Sequence, residues 1–151
     1  MPNQNGYNTN LAAEFYVLSV LHRLGYSASL TLGNRKAIDI VVETDDRTIT
    51  IDVKGMASRT NWPLDNFKSK DRKNHYIALV SFNGKIDDVS VAPTVYVVPA
   101  LDIPNFLYGN PKGTRISIPF NKIRDGGKKY LEAWECFRTA TRPNRTRRVL
   151  L

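Results

Sequence analysis

The sequence has little of what disulfide-bonded and zinc-bound proteins need. Its 151 residues include a single cysteine, Cys136, and two histidines, His22 and His75. One thiol cannot form an intrachain disulfide, and two distant histidines do not supply the ligands of a zinc site or of a histidine-based nuclease. The chemistry of this chain must therefore be sought among oxygen and amine side chains.

Long apolar segments and targeting signals are also missing. No apolar run approaches the ~20 residues that cross a bilayer, and the opening Met-Pro-Asn-Gln-Asn-Gly lacks the basic and apolar regions of a secretory signal. The hydrophobic content of 42% and the charged content of 24% are those of an ordinary globular domain. We therefore predict a cytoplasmic protein without a membrane partner, folded as one domain over residues 1–151, in which residues 139–151 form a basic tail.

Positive charge is abundant but unevenly placed. The chain carries a net charge of +8; residues 1–54 hold five Lys/Arg against six Asp/Glu, and residues 55–151 hold seventeen against eight. The acidic groups that could hold a metal ion thus come early, and the groups that attract phosphate come later. An excess of this kind suits a polyanionic partner, although a solubilising surface gives the same count.

Hydrophobic periodicity predicts a mixed α/β domain. A helix is expected from Asn10 to Leu24, with a broad apolar face that includes Phe15 and Leu24 and also carries Glu14. The strands that we expect next are, in order, Ser27–Leu32, Ala37–Glu43, Arg47–Lys54, Tyr76–Phe82, Thr94–Val98 and an edge strand, Arg115–Ile118. Residues 57–73 have the composition of a polar loop, and Gly127–Thr139 that of a closing helix. This order predicts a central mixed β-sheet flanked by helices.

The most informative segment is the hairpin formed by the second and third strands. With Asp45 and Asp46 centred in its turn, Asp39 faces Asp52 across the hairpin. Side chains alternate along a strand, so Asp52 and Lys54 share one face of the third strand, about 7 Å apart. Two like charges that face each other destabilise a sheet unless something positive lies between them. The hairpin therefore predicts a cation held by Asp39 and Asp52.

A hard divalent cation fits this pair of acids. Mg²⁺, or Mn²⁺ in its place, takes one or two protein carboxylates and keeps its other positions for water and phosphate oxygens. Such an ion polarises a phosphodiester and activates a water. Lys54, one pleat away, is placed to orient that water or to offset charge on the phosphorane. Glu14, which projects inward from the first helix, is expected to reach the same cluster.

The same residues resemble the PD-(D/E)xK nuclease superfamily, which includes restriction endonucleases, Holliday junction resolvases and one type of homing endonuclease. The resemblance covers roughly the first third of the chain and lies in Glu14 on a helix, then Ile38-Asp39, then Asp52-Val53-Lys54. It implies a restriction endonuclease-like core with the element order αβββαβ. It also implies that Asp39, Asp52, Glu14 and the carbonyl of Val53 bind the metal and that Lys54 assists the water. The sequence departs from the motif at Ile38, which stands where the motif has proline.

The expected partner is DNA, bound through basic side chains. The residues that we predict to contact phosphate are Arg35 and Lys36 before the second strand and, further along, Lys68, Lys70, Arg72 and Lys73. A solvated run of charge accounts for the second group equally well. Two active sites are needed to cut two strands, so we expect a homodimer for a duplex or junction substrate and a monomer for a single-strand nuclease.

Two other functions are compatible with these residues. Asp52 and Lys54 could form a simple surface ion pair, and Glu14 could be a structural tether to Arg35 or Lys36, which would leave a non-catalytic nucleic-acid-binding module. A protein-interaction domain without a nucleic-acid role is the third option. The sequence favours a metal-dependent DNA endonuclease, because each alternative leaves some of the four polar residues unexplained.

Overall fold

The computed structural model describes residues 5–31, 38–64, 73–109 and 115–138. The helices and strands are, in chain order, α1 (Asn5–Arg23), β1 (Ser27–Leu30), β2 (Ile40–Glu43), β3 (Thr48–Met56), β4 (Asn61–Pro63), β5 (His75–Ser81), β6 (Thr94–Pro99), β7 (Tyr108–Gly109), β8 (Ile116–Pro119) and α2 (Phe120–Gly126). Short 3-10 helices lie at Ala100–Phe106, Lys128–Tyr130 and Trp134–Phe137. Among the residues described, no helix combines the length and the apolar content that crossing a bilayer requires.

Five strands form the central sheet in the order β1-β2-β3-β5-β6. Neighbouring strands are antiparallel except β3 and β5, which run parallel. Strand β5 is buried along its whole length because both faces of the sheet are covered there. The predicted mixed α/β class is therefore confirmed. In the implied αβββαβ order a helix falls between β3 and β5; residues 65–72 of that connection lie outside the described residues, and the rest includes the short strand β4.

The β2–β3 hairpin has the predicted register. Ile40 pairs with Ile51 and Glu43 pairs with Thr48, which centres the turn on Asp45 and Asp46. The register follows from local sequence, because β-branched residues of both strands alternate into the core and one slip would expose them all. Strand β3 continues to Met56, beyond its last pair with β2 at Ile51. From Asp52 to Met56, therefore, β3 no longer pairs with β2.

The two faces of the central sheet carry separate hydrophobic cores. On one face helix α1 packs on β3, and Val17 and Leu21 of the helix are fully buried. On the other face the small sheet β4-β8-β7 and helix α2 cover β5. Trp62 of β4 is fully buried in this second core, where its Nε1 donates a hydrogen bond to the carbonyl of Val80 at 3.0 Å. Strand β3 therefore lies between two packed layers.

Helix α1 differs from its prediction in start and in orientation. It begins at Asn5 rather than Asn10 and ends before Gly25, whose φ of 85° suits the residue after a helix. Phe15 is 56% exposed and Leu24 is 43% exposed, so the expected apolar face was wrong at both of these residues. Ala13, which is fully buried, faces Gly55 of β3 instead, and Phe15 lies on the solvent side of the helix.

The C-terminal half also departs from prediction. Gly127–Thr139 is not one helix, because Leu131 forms a β-bridge with Tyr96 and Glu132 adopts a φ of 50°, which interrupts helical hydrogen bonding. The strand predicted at Arg115–Ile118 is observed at Ile116–Pro119, and it lies in the middle of the small sheet rather than at an edge. Strand β4 within the expected loop and helix α2 are additions to the predicted elements.

Candidate active site

Asp39 lies at a bend immediately before β2, where the ladder between β2 and β3 stops. Its main chain is held on both sides: its N–H donates to the carbonyl of Ile51 at 2.9 Å, and its carbonyl accepts from the N–H of Thr31 at 2.9 Å. Its carboxylate Oδ2 accepts a hydrogen bond from the N–H of Val53 at 2.7 Å. The carboxylate of Asp39 therefore accepts the hydrogen bond that a carbonyl of a neighbouring strand would otherwise accept from β3. This bond fixes the position of the Asp39 side chain.

Asp52 and Lys54 lie on one face of β3, as the alternation of side chains predicted. The Nζ of Lys54 is 3.4 Å from Oδ2 of Asp52, and the two side chains are 28% and 15% exposed, respectively. Their partners on the parallel strand β5 are the buried residues Ile77 and Leu79. This ion pair is thus set among apolar neighbours, unlike a pair that stands in open water.

Helix α1 brings a third carboxyl group to the same place. Glu14 is half-buried, and Asp39 lies close enough to both Glu14 and Asp52 to raise the pKa of each. The structure therefore brings together all four polar side chains predicted for the site, with Asp39 at the centre of the acids.

Close packing between α1 and β3 brings Glu14 near the acids of the β2–β3 hairpin. A Cβ atom on Gly55 would lie 2.8 Å from the Cβ of Ala13 and 2.9 Å from the carbonyl oxygen of Thr9. The side chain of Asn10 also accepts the N–H of Gly55 at 3.3 Å. Neither Gly55 nor Asn10 was predicted as part of the site, although a glycine inside a strand is a known signal of close backbone approach.

Burial and crowding raise the pKa of two of the three acids. The pKa of Glu14 is raised to about 7, chiefly by burial and next by the nearby charge of Asp39, while the charge of Lys54 opposes the change. The pKa of Asp52 is likewise raised to about 7 by burial, against the charge of Lys54 and with a further contribution from Asp39. One ammonium group does not balance three ionised carboxylates in this setting, so the cluster favours either bound protons or an additional cation.

The donor set fits a hard divalent cation. The carboxyl groups supply oxygen atoms, and the carbonyl of Val53 points to the same edge of β3 as its N–H, which bonds Asp39. Within the described ranges, no three His, Cys, Asp or Glu side chains already stand in a metal-binding arrangement. The fit is therefore to an ion that takes two carboxylates and a carbonyl and completes its coordination with water, as Mg²⁺ does.

Of the six residues predicted to contact phosphate, only Lys73 lies among the described residues. Arg35, Lys36, Lys68, Lys70 and Arg72 lie outside the described residues, and so does any tether between Glu14 and the first two of them. Lys73 is exposed in the turn before β5, next to Asn74, whose carbonyl accepts from the N–H of Thr50. Lys73 thus lies at the end of the sheet where β3 begins, four residues before Ile77, the partner of Asp52 on β5.

A cleft of about 410 Å³, which we call the Lys54 cleft, opens beside the acid cluster. Its walls come from the first turns of α1, the end of β3 and strand β4. The lining residues are Gly6, Thr9, Asn10, Lys54, Gly55, Ala57, Trp62 and Pro63. Because Lys54 also pairs with Asp52, this lysine belongs to both the cleft and the acid cluster.

The chain is similar in structure to a bacterial homing endonuclease, I-Ssp6803I. The two chains share 16% identity and a TM-score of 0.49, over 85% of this chain and 87% of that chain. At that identity and score the likeness concerns the path of the chain and carries no argument about activity. No protein-family model matches the chain, and no curated protein matches it.

Proposed function

We propose that this protein is a Mg²⁺-dependent endonuclease that hydrolyses phosphodiester bonds in DNA. The observation that carries the proposal is the meeting of Glu14, Asp39 and Asp52 beside Lys54, where the β2–β3 ladder ends. Such crowding of acids destabilises a folded chain unless a cation joins them. The excess of Lys and Arg in residues 55–151 supports a polyanionic substrate.

The acids and one carbonyl hold the ion in this proposal. Asp39 and Asp52 are its carboxylate ligands, the carbonyl of Val53 adds a third oxygen, and Glu14 binds through a water or a second ion. When bound, Mg²⁺, or Mn²⁺ in its place, supplies positive charge against the phosphate and makes a water easier to deprotonate. The hydrogen bond from Val53 holds Asp39 in place before any ligand arrives. This preorganisation limits the rearrangement that binding requires.

Lys54 is the side chain that we propose to contact the attacking water or the phosphate. Its ammonium lies 3.4 Å from Asp52 and also lines the Lys54 cleft, so it stands between the acids and an approaching strand. From there it donates a hydrogen bond to the attacking water or to a phosphate oxygen. The water oxygen forms a bond to phosphorus, the bond to one ester oxygen breaks, and a proton from the water ends on the leaving oxygen.

A cleavage panel tests the proposal. Linear duplex, single-stranded and four-way junction DNA are incubated with the protein in Mg²⁺, in Mn²⁺ and in EDTA, and cleavage is expected only with a metal. The Lys54→Ala variant is expected to lose about 10²–10⁴-fold in turnover and to retain binding of duplex DNA at low salt. Cleavage that persists in EDTA would contradict the proposal. Salt-dependent binding without turnover in any metal would instead favour a non-catalytic binding module.

On a duplex or junction substrate we further propose a homodimer, because two strands require two active sites. Sedimentation equilibrium with and without the substrate that the panel identifies measures this directly. A protein that stays monomeric while it cuts both strands of one site at once would contradict the dimer. A monomer that cuts only single strands would place the protein with the single-strand nucleases.

A further inference from the structure

The geometry of the Lys54 cleft points to a binding site for one unpaired nucleotide of the strand that is cut, next to the scissile phosphate. The inference rests on the proposed function for the position of the cut, and it adds the class of substrate, a strand with at least one unpaired base. Binding to the cleft is measurable without cleavage, so the two claims can fail separately.

The size of the cleft selects a nucleotide rather than a double helix. Its volume of about 410 Å³ falls in the lower part of the range for small-molecule sites, about 300–1,000 Å³. A base pair with its two backbones does not enter a recess of this size. A base reaches such a recess from a single strand, or from a duplex after it has been turned out of the stack, which is easiest where pairing is already absent.

The lining has the chemistry that a nucleotide needs. Lys54 supplies a cation that also pairs with Asp52, and Gly55, Ala57 and Pro63 supply uncharged walls against which a base can pack. The carbonyl oxygen of the Asn10 side chain accepts the N–H of Gly55, which leaves its NH₂ group to donate to a base edge or a phosphate. No acidic side chain lines the cleft among the described residues, so a polyanion is not repelled from its interior.

The position of the cleft ties the bound nucleotide to the reaction. Lys54 is shared between the cleft and the ion pair with Asp52. A phosphate held by Lys54 therefore lies beside the proposed metal ligands while its base occupies the cleft. An unpaired base at this point would set which bond of the strand is cut.

A substitution at Gly6 is expected to fill part of the cleft while leaving the acids unchanged. Gly6 lines the cleft, and a Cβ atom added there meets nothing within 4 Å. Leucine favours a helix more than glycine does, so Gly6→Leu is expected to fold. Ser19→Leu adds the same side chain at another exposed position of α1, outside the cleft, and is the matched control.

The probe is a fluorescein-labelled oligothymidylate, bound in EDTA and followed by fluorescence anisotropy, alone and paired with oligodeoxyadenylate. Gly6→Leu is expected to weaken single-strand binding by about tenfold, or ~1.4 kcal/mol, while Ser19→Leu binds as the wild type. The paired probe is expected to bind all three proteins equally. Equal single-strand affinity of Gly6→Leu and wild type, the same loss in Ser19→Leu, or the same loss for the paired probe would overturn the inference.

Cleavage assays with the same variants separate this inference from the proposed function. If no metal supports cleavage but Gly6→Leu still loses single-strand binding, the cleft stands as a nucleotide site and the nuclease proposal fails. If the wild type cleaves DNA and Gly6→Leu cleaves and binds equally well, the nuclease proposal stands and the cleft inference fails.

Discussion

The two ends of the β2–β3 hairpin carry the same kind of side chain in opposite surroundings. At the turn end, Asp46 accepts a hydrogen bond from the hydroxyl of Thr44 at 2.9 Å, and Glu43 accepts one from the hydroxyl of Thr48 at 2.8 Å. Both acids are exposed there. At the site end, Asp39 and Asp52 are partly buried, Asp39 lies close enough to raise the pKa of Asp52, and Asp52 pairs with the ammonium group of Lys54.

The difference between the ends comes from their neighbours rather than from residue type. At the turn end each acid has a hydroxyl donor of its own and access to water. At the site end, helix α1 adds Glu14, and the residues of β5 that pair with Asp52 and Lys54 are the buried Ile77 and Leu79. An acid that has its own donor is part of a turn, whereas acids pressed together need a proton or a cation. The same hairpin thus has a structural end and an end suited to chemistry.

The largest expected contrast between the two ends is in cleavage. Asp52→Asn keeps the shape of the side chain but removes a charged metal ligand, so turnover with Mg²⁺ is expected to fall about a thousandfold or more, ~4 kcal/mol in the barrier. Asp46→Asn makes the same chemical change at the turn end and is expected to leave turnover unchanged. Rates measured under single-turnover conditions test both, and similar rates in the two variants would remove the distinction.

The approach of helix α1 to the site end is tested by Gly55→Ala. The added methyl group would clash with Ala13 and with the carbonyl of Thr9, and overpacking of this kind costs about 1–3 kcal/mol of folding free energy. Displacing the helix also moves Glu14, so cleavage should fall as well. Gly109→Ala, in strand β7 and outside the cleft, is the control, because its methyl group meets only ordinary contacts at 3.8 Å. Urea unfolding that finds Gly55→Ala as stable as the wild type would contradict the packing argument.

The pH dependence of stability also separates the two ends. Glu14 and Asp52 have folded-state pKa values of about 7, raised from 4.5 and 3.8 chiefly by burial. A raised acid pKa gives stability that is complete below the unfolded-state pKa and is lost as the pH rises through the folded-state pKa. The metal-free protein is therefore expected to lose stability between about pH 4 and about pH 7.

Substitution identifies the groups responsible for this loss. Asp52→Asn removes one of the two titrations, so its loss of unfolding free energy over the same range should be smaller by about 1–3 kcal/mol. Asp46→Asn should follow the wild-type curve. Urea unfolding at a series of pH values gives the comparison. A pH dependence in Asp52→Asn as steep as in the wild type would mean that other groups cause it.

The smallest expected effect is at the turn end. Thr44→Ala removes the hydroxyl that bonds Asp46 and the carbonyl of Arg47, each at 2.9 Å. Hydrogen bonds of this kind contribute about 0.5–1.5 kcal/mol, so thermal unfolding should shift modestly while cleavage by the folded protein stays the same. A loss of turnover larger than the loss of folded protein would show that the turn end contributes to the site.

The hairpin and its acids could be predicted because the information for them is local. Alternating β-branched residues on both sides of Asp45-Asp46 fix the register, and the register places Asp39 near Asp52. The inward position of Glu14 follows from helical periodicity. Helix α2 also had a local signal, since Pro119 precedes it and Gly126-Gly127 closes it around the apolar residues Phe120 and Ile123.

Other features depend on contacts between distant residues and leave little trace in the local sequence. The bridge between Leu131 and Tyr96 breaks the helix expected at Gly127–Thr139, although the periodicity of that segment is helical. The orientation of α1 depends on the contact of Ala13 with Gly55, which belong to different elements. The Lys54 cleft likewise forms only when α1, β3 and β4 come together.

Titration calorimetry of the metal-free protein with Mg²⁺ and with Mn²⁺ tests most directly whether the site end of the hairpin holds a cation. The wild type and Asp46→Asn are expected to bind one or two ions with the same stoichiometry and affinity, and Asp52→Asn is expected to lose this binding. Binding that is unchanged in Asp52→Asn, or that is lost in Asp46→Asn, would contradict the assignment of the ion to the acids at the site end.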